Sequence, residues 1–79
     1  MRYQKQLARY LKMRRVKTKK SLNLFCEENH IEPSTLSRIE NDILELKISN
    51  LVKIAMGLDS TPANLLADFE DYLLQKHSK

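Results

Sequence analysis

The sequence predicts an all-α fold, a compact five-helix domain in which the second and third helices form a helix-turn-helix. Apolar residues recur at helical spacing, and no run alternates apolar with polar residues as a half-buried strand would. One glycine and two prolines among 79 residues leave few places for hairpin turns. A chain of this length forms one domain, residues 1–79, close to the lower limit for folding alone.

The first helix is predicted over residues 3–16, where apolar side chains share one face. Leu7, Tyr10 and Leu11 lie at positions i, i+3 and i+4, so all three point into the core. Residues 17–20 are polar and form the connection to the next helix.

The helix-turn-helix is predicted over about residues 21–41. Ser21 is a suitable N-cap for its first helix, which ends at a corner formed by Asn29 or His30. Both residue types tolerate a positive φ better than most. Pro33 suits the first turn of the next helix, where its missing N–H costs nothing. The two helices share a buried seam formed by Phe25, Cys26, Ile31, Leu36 and Ile39.

The fourth helix is predicted over about residues 48–58 and the fifth over about residues 62–76. Thr61 is a suitable N-cap, and Pro62 suits the first helical position. An apolar loop at residues 43–47 joins the third helix to the fourth. The inward face of the fourth helix is predicted to be Ile48, Leu51, Val52, Ile54, Ala55 and Leu58. The fifth helix carries a wide apolar stripe of Leu65, Leu66, Phe69, Tyr72 and Leu73.

Positive charge is concentrated at the start of the chain. The first 20 residues carry nine Lys and Arg and no acid, whereas residues 21–79 carry a net charge of −5, which leaves +4 for the whole. Such a basic segment attracts a polyanion, because Lys and Arg neutralise phosphates and release their counterions. The alternative is a solvated basic helix with no ligand. A helix on a membrane surface is disfavoured, since the apolar stripe of the first helix is needed for the core.

The exposed face predicted for the third helix is small, polar and basic, as expected of a helix that enters the DNA major groove. Arg38 is the best candidate for reading a base, because an arginine can donate two hydrogen bonds to guanine O6 and N7. A phosphate-bound or merely solvated arginine is the alternative. The base-reading residues are predicted to be Pro33, Ser34, Ser37 and Arg38. The phosphate-binding residues are predicted to be Arg14, Lys17, Lys19, Lys20 and Ser21.

Several other chemistries find no support in the sequence. Cys26 is the only cysteine, so no internal disulfide forms and a reducing cytoplasm is expected. His30 and His77 have no Cys or Asp partner at metal-ligand spacing. No catalytic constellation is present, and no apolar run is long enough for a membrane span or a signal-peptide core. We therefore expect a cytoplasmic protein that is not an enzyme and needs no cofactor, metal or small-molecule ligand.

Five short segments of the chain match a known family in order and spacing. They read L-K-M-R-R-V at 11–16, S-L-N-L-F-C at 21–26, S-T-L-S-R-I-E-N at 34–41, L-V-K-I-A-M-G-L-D at 51–59 and S-T-P-A-N-L-L at 60–66. Over residues 7–66 the chain therefore resembles the phage Cro and repressor family of helix-turn-helix regulators, also called XRE-like, which bacteria and phages encode. The resemblance implies a lambda repressor-like DNA-binding domain whose second and third helices read DNA.

The resemblance also implies a structural ion pair between Arg15 and Glu40, which fixes the first helix against the third. The chain departs from the family in three places. His30 stands at the corner where the family favours glycine. Leu22 stands where the family often has a glutamine that binds a phosphate. Residues 42–45, acidic and apolar, stand where the family often has glycine and basic residues. The basic residues that precede the second helix are expected to supply the missing phosphate contacts.

We expect a sequence-specific transcriptional regulator, a repressor that binds a palindromic operator in double-stranded DNA as a homodimer. One module of this size reads too few bases to be specific alone. The predicted dimer contacts are Leu44, Leu46, Phe69, Leu73 and Leu74. The alternative is an antitoxin, or another protein-interaction module of a toxin–antitoxin or restriction–modification control system, which can also bind DNA. Non-specific binding of DNA or RNA through the basic segment is the third hypothesis.

Overall fold

All of the regular structure in residues 2–77, the part of the chain that the computed structural model describes, is α-helical. The helices are α1 (Tyr3–Lys17), α2 (Leu22–Asn29), α3 (Pro33–Glu40), α4 (Ile48–Gly57) and α5 (Pro62–His77). The all-α prediction and the predicted helices are confirmed, with bounds that agree to about one residue, the usual uncertainty of a helix end. Within the same residues, no helix is long and apolar enough to cross a membrane.

The helices enclose one apolar core. α2 packs against α3 and α4, α1 packs against α3, and α5 packs against α4. The predicted seam between α2 and α3 is buried, since none of its five residues is more than 5% exposed. Cys26, in that seam, is fully buried, and burial raises the pKa of its thiol. The other buried apolar residues are Leu7, Ala8, Tyr10, Leu11, Leu51, Ile54, Ala55, Leu65, Phe69 and Leu73.

One side of α4 differs from the prediction. Ile48 is 73% exposed and Val52 is 37% exposed, so neither belongs to the core. The buried residues of α4 are Leu51, Ile54 and Ala55. Met56, 66% exposed, extends the two outward residues into a stripe at four-residue spacing that lies beside the buried face. The buried face is narrower than the apolar pattern because neighbouring helices cover only part of it.

Two residues predicted as dimer contacts belong to the core instead. Phe69 is fully buried, and Leu73 is 7% exposed. The Phe69 ring lies 5.1 Å from the ring of Tyr3 and 5.3 Å from that of Tyr10, so α5 uses its apolar stripe to cover α1. Neither residue is available to a second subunit, and the prediction is wrong for Phe69 and Leu73. Leu74, by contrast, is 70% exposed.

The loop between α3 and α4 lies partly against the domain. Leu44 and Leu46, the remaining predicted dimer contacts, are half-buried. Leu46 packs against the core, whereas Ile43 is 75% exposed. Only part of this apolar loop is therefore open to a second subunit.

Each of the first four helices is followed within two residues by a non-glycine residue in the left-handed region. These residues are Lys19, His30, Asp42 and Asp59, with φ between 56° and 65°. The prediction of a corner at residue 29 or 30 is confirmed at His30. Aspartate and histidine are enriched in this conformation, whereas lysine has no such preference. The connection between α1 and α2 therefore carries the least favourable of the four backbone conformations.

The one glycine of the chain allows α4 to approach α2 closely. A Cβ atom on Gly57 would lie 2.6 Å from Phe25 Cζ and 2.6 Å from Asn29 Nδ2. Phe25 is buried, and Asn29 Nδ2 donates a hydrogen bond of 2.8 Å to the Phe25 carbonyl oxygen. Both side chains are thus held in place, and a larger residue at position 57 would have to displace them.

We expect Gly57→Ala to lower the free energy of unfolding by about 1–2 kcal/mol. Two contacts at 2.6 Å place the overpacking cost in the upper part of its usual range of about 1–3 kcal/mol, and the higher helix propensity of alanine offsets about 1 kcal/mol of it. Urea denaturation followed by circular dichroism measures the change. Ser49→Ala, on the exposed side of the same helix, is the control and should alter stability by less than about 0.5 kcal/mol. Unchanged or higher stability of Gly57→Ala would contradict the close contact.

Candidate nucleic-acid interface

The turn between α2 and α3 consists of only three residues, 30–32. His30 adopts φ 57° and ψ 42°, which reverses the chain directly after α2. The amides of His30 and Ile31 both donate to the Cys26 carbonyl oxygen, the latter at 3.0 Å. The buried Ile31 side chain anchors the turn in the core. From α4, Lys53 Nζ donates to the His30 carbonyl oxygen at 3.1 Å. Backbone geometry and packing together fix α3 relative to α2.

α3 presents to solvent the face predicted from the sequence. Pro33, Ser34 and Arg38 are exposed, and Ser37 is half-buried. The buried residues of α3 are Leu36, Ile39 and Glu40. Pro33 occupies the first turn, as predicted, and the Ser34 hydroxyl donates to Glu32 Oε1 at 3.2 Å. The four predicted base-reading side chains therefore share one accessible side of the helix.

Arg38 is fixed at its backbone, while its side chain is unpaired. Its carbonyl oxygen accepts hydrogen bonds from the amides of Ile43, at 2.8 Å, and Leu44, at 3.2 Å. Within residues 2–77 its guanidinium makes no ion pair and no hydrogen bond. The N–H donors of that guanidinium are available to an acceptor outside the chain.

The junction of α1 and α2 carries most of the predicted phosphate-binding set. Lys17 and Lys19 are exposed and unpaired within the described residues. Lys20 Nζ lies 2.6 Å from Glu28 Oε1, so this cation is already in an ion pair with a residue of α2. Ser21 caps α2 as predicted, because its Oγ accepts a 3.1 Å hydrogen bond from an amide in the first turn. This junction is also the N-terminus of α2, where the helix dipole favours an anion.

Arg14 does not belong with these residues. Its Nη1 atom donates to Tyr10 Oη at 2.7 Å and lies 3.7 Å from Asp68 Oδ2 on α5. Consecutive side chains on a helix point about 100° apart, so Arg14 faces α5 while Arg15 faces α3. Arg14 therefore lies on the α5 side of α1, apart from the other predicted phosphate-binding residues, and its binding of phosphate stays a prediction.

The predicted pair between Arg15 and Glu40 is present and nearly buried. Arg15 Nε lies 2.8 Å from Glu40 Oε2, and Nη2 lies 3.1 Å from Oε1. The two side chains are 11% and 3% exposed, and hydrogen bonding to Glu40 raises the pKa of Arg15. Arg15 Nη1 also donates to the Lys20 carbonyl oxygen at 3.2 Å, a contact that the sequence did not predict. The pair thus ties α1 to α3 and to the connection before α2.

Sequence reasoning missed a second group of cations. Lys5, Arg9 and Lys12 line a groove between α1 and the end of α3. Their i, i+4, i+7 spacing places them on one helix face and was the signal that could have identified them. Within residues 2–77, no group of three or more His, Cys, Asp and Glu side chains could hold a metal ion.

Three comparisons with known proteins found no relative of this chain. No family model matches the sequence, no curated protein matches it, and no solved structure matches the fold. The resemblance to Cro and repressor-type regulators stays a prediction from the five motifs quoted above.

Proposed function

We propose that this protein is a sequence-specific DNA-binding regulator, a repressor that reads its operator with α3. The observation that carries the proposal is the exposed face of α3, where the unpaired Arg38 side chain accompanies Pro33, Ser34 and Ser37. With its side chains, an α-helix is about 10–12 Å across and fits the major groove, which is about 12 Å wide. The short turn before α3 supports the same function, because it presents the helix in one orientation.

Phosphate contacts would hold α3 in register on the duplex. Lys17, Lys19 and Lys20 cluster where α1 meets α2, at the positive end of the α2 dipole. The Ser21 oxygen caps α2, and its hydroxyl hydrogen can still bind a phosphate oxygen. Lys20 has to exchange Glu28 for a phosphate, so its net contribution is smaller than that of Lys19.

A homodimer on a palindromic operator follows from the size of the reading helix, since eight residues contact too few base pairs for genomic specificity. With Phe69 and Leu73 buried, Leu74 and the exposed stripe of α4 remain as apolar surfaces for the contact. Sedimentation of the protein at tens of micromolar, with and without operator DNA, tests whether it forms a homodimer. A monomer under both conditions would overturn the proposed homodimer.

We expect Arg38→Ala to lose about 1–3 kcal/mol of discrimination at one base pair of each half-site, because a bidentate contact to guanine would be removed. Stability should change by less than about 0.5 kcal/mol, since the side chain is exposed and unpaired. Competition binding with single-base operator variants measures the discrimination. Equal weakening on all sequences would instead assign Arg38 to the phosphate backbone.

Lys19→Ala should weaken all duplexes alike and reduce the slope of log affinity against log salt by about 0.9 for each protomer. Titrations at several salt concentrations measure this slope. Lys76→Ala, which removes an exposed cation near the end of α5, is the matched control and should leave the slope unchanged. If Lys19→Ala instead lost affinity by different amounts for different DNA sequences, Lys19 would be assigned to a contact with a base edge.

Selection from a pool of random duplexes tests the proposed function itself. We expect enrichment of a palindrome whose half-sites lie about one helical turn, 10–10.5 bp, apart. Binding without enrichment would favour the non-specific hypothesis, in which the basic segment holds any nucleic acid.

A second candidate function is supported by the exposed apolar side chains. Ile48, Val52 and Met56 are exposed on one side of α4, and a contiguous exposed apolar surface is a feature of proteins that bind another protein. An antitoxin would use such a surface to hold its toxin and can bind DNA as well. Co-expression with the product of the neighbouring gene, followed by isolation of a stoichiometric complex and a growth assay, would distinguish it from a repressor that acts alone.

A further inference from the structure

A groove runs along α1 beside the end of α3. Its volume is about 690 Å³, within the range of about 300–1,000 Å³ found for ligand sites. Residues 40–42 form one wall. The other wall is α1, whose cations in the groove are Lys5, Arg9, Lys12 and Lys17.

The groove is positively charged because its cations are unpaired, whereas each of its carboxylates is paired with an arginine. None of the four cations makes an ion pair or a hydrogen bond within residues 2–77. Glu40 is paired with Arg15, and Asp42 Oδ2 lies 3.6 Å from Arg2 Nη2. Like charges three and four positions apart on a helix repel one another. An anionic partner would relieve that repulsion.

The groove also carries apolar side chains between its cations. Ala8 is buried, Met13 is half-buried, and Val16 is 55% exposed. A phosphate backbone would satisfy the cations and leave Val16, and the part of Met13 that does not pack against the core, facing water. A protein segment that bears both carboxylates and apolar side chains would cover both kinds of group, and so matches the groove better.

We propose that this groove binds an acidic amphipathic segment of a partner protein. Carboxylates of the segment pair with Lys5, Arg9 and Lys12, and an apolar side chain packs against Met13 and Val16. The three cations span about 10 Å along one face of α1, so acids about one and two turns apart on a partner helix match them. The proposal does not depend on DNA binding by α3.

The probe is a fluorescein-labelled helical peptide of about 14 residues, four turns, with glutamate and leucine on one face. An analogue carries glutamine for glutamate. With the full chain, fluorescence anisotropy should show saturable binding of the acidic peptide and at least about tenfold weaker binding of the analogue. Perturbed amide NMR signals should lie on α1 and on residues 40–42.

Two pairs of variants locate the site. Lys5→Glu with Arg9→Glu should weaken peptide binding at least about tenfold, whereas Lys47→Glu with Lys76→Glu makes the same charge change outside the groove and should weaken it less than about threefold. Val16→Ser should weaken binding about fivefold. Ile43→Ser, the matched exposed apolar control, should leave it unchanged.

Four results would overturn the proposal. Equal losses in the two charge-reversed variants would show non-specific attraction to the basic chain. If Lys5→Glu with Arg9→Glu lost affinity for duplex DNA but not for the peptide, the groove would be assigned to DNA. Dissociation of a dimer by Lys5→Glu with Arg9→Glu would assign it to a second copy of this chain. If that variant does not fold, the unaltered chain still gives a test. Amide NMR signals that the acidic peptide perturbs only outside the groove would rule out this site.

Discussion

Replacing Glu40 with alanine is expected to lower the free energy of unfolding by about 3–5 kcal/mol. This is the usual cost of removing one partner of a buried ion pair, because the other charge is left buried without compensation. The Arg15 guanidinium, 11% exposed, would retain the Lys20 carbonyl oxygen as its partner. It cannot regain full hydration unless α1 separates from α3. Domains are stable by about 0.05–0.15 kcal/mol per residue, so the variant loses much of its total stability. Urea denaturation followed by circular dichroism measures the loss.

Two further variants separate this effect from ordinary surface electrostatics. Arg15→Met with Glu40→Leu removes both charges and should recover most of the stability, because neither side chain then needs a polar partner. Glu28→Gln breaks the exposed pair with Lys20 and should cost less than about 1 kcal/mol. A comparably small loss in Glu40→Ala would mean that the pair does not hold α1 against α3.

Phe69→Ala is expected to cost about 3–5 kcal/mol, the usual cost of truncating a buried phenylalanine. The side chain is fully buried and contacts the rings of Tyr3 and Tyr10. Removing it leaves a cavity where α5 covers α1. Thermal and urea unfolding measure the loss of stability. Sedimentation under native conditions shows whether the oligomeric state changes as well.

Leu74→Ala is the matched control on the same helix. Leu74 is 70% exposed, so its truncation should change stability by less than about 0.5 kcal/mol. If Phe69 were instead a dimer contact, Phe69→Ala would yield a folded monomer with near-normal unfolding in the monomeric state. That result would contradict the position of Phe69 in the core.

The helices could be predicted because their signals are local. Ser21 and Thr61 cap the helices that follow them through hydrogen bonds of 3.1 Å. Pro33 and Pro62 stand at the first helical positions of α3 and α5, where a missing N–H has no partner to lose. Capping and proline geometry involve residues within one turn of each other. Their effect is therefore the same in the isolated segment as in the folded chain.

The candidate interface could be predicted only in part. The exposed face of α3 followed from its opposite face, since Leu36 and Ile39 had to be buried and Ser34 and Arg38 then had to point outward. The phosphate-binding set did not follow in the same way. Periodicity shows which residues share a face, but not which other helix that face meets. For this reason the sequence did not show that Arg14 faces α5 and pairs with Asp68.

By itself, the sequence determined the all-α class, the helix bounds and the corner at residue 29 or 30. The Arg15–Glu40 pair was expected only from the family resemblance. Only the tertiary structure decided that Phe69 and Leu73 are interior and that Ile48 is exposed. It also brought the cations of α1 beside the end of α3 to form a groove. The reason is physical: capping, turn and spacing effects act over a few residues, whereas burial and pairing depend on which surfaces meet when the helices pack.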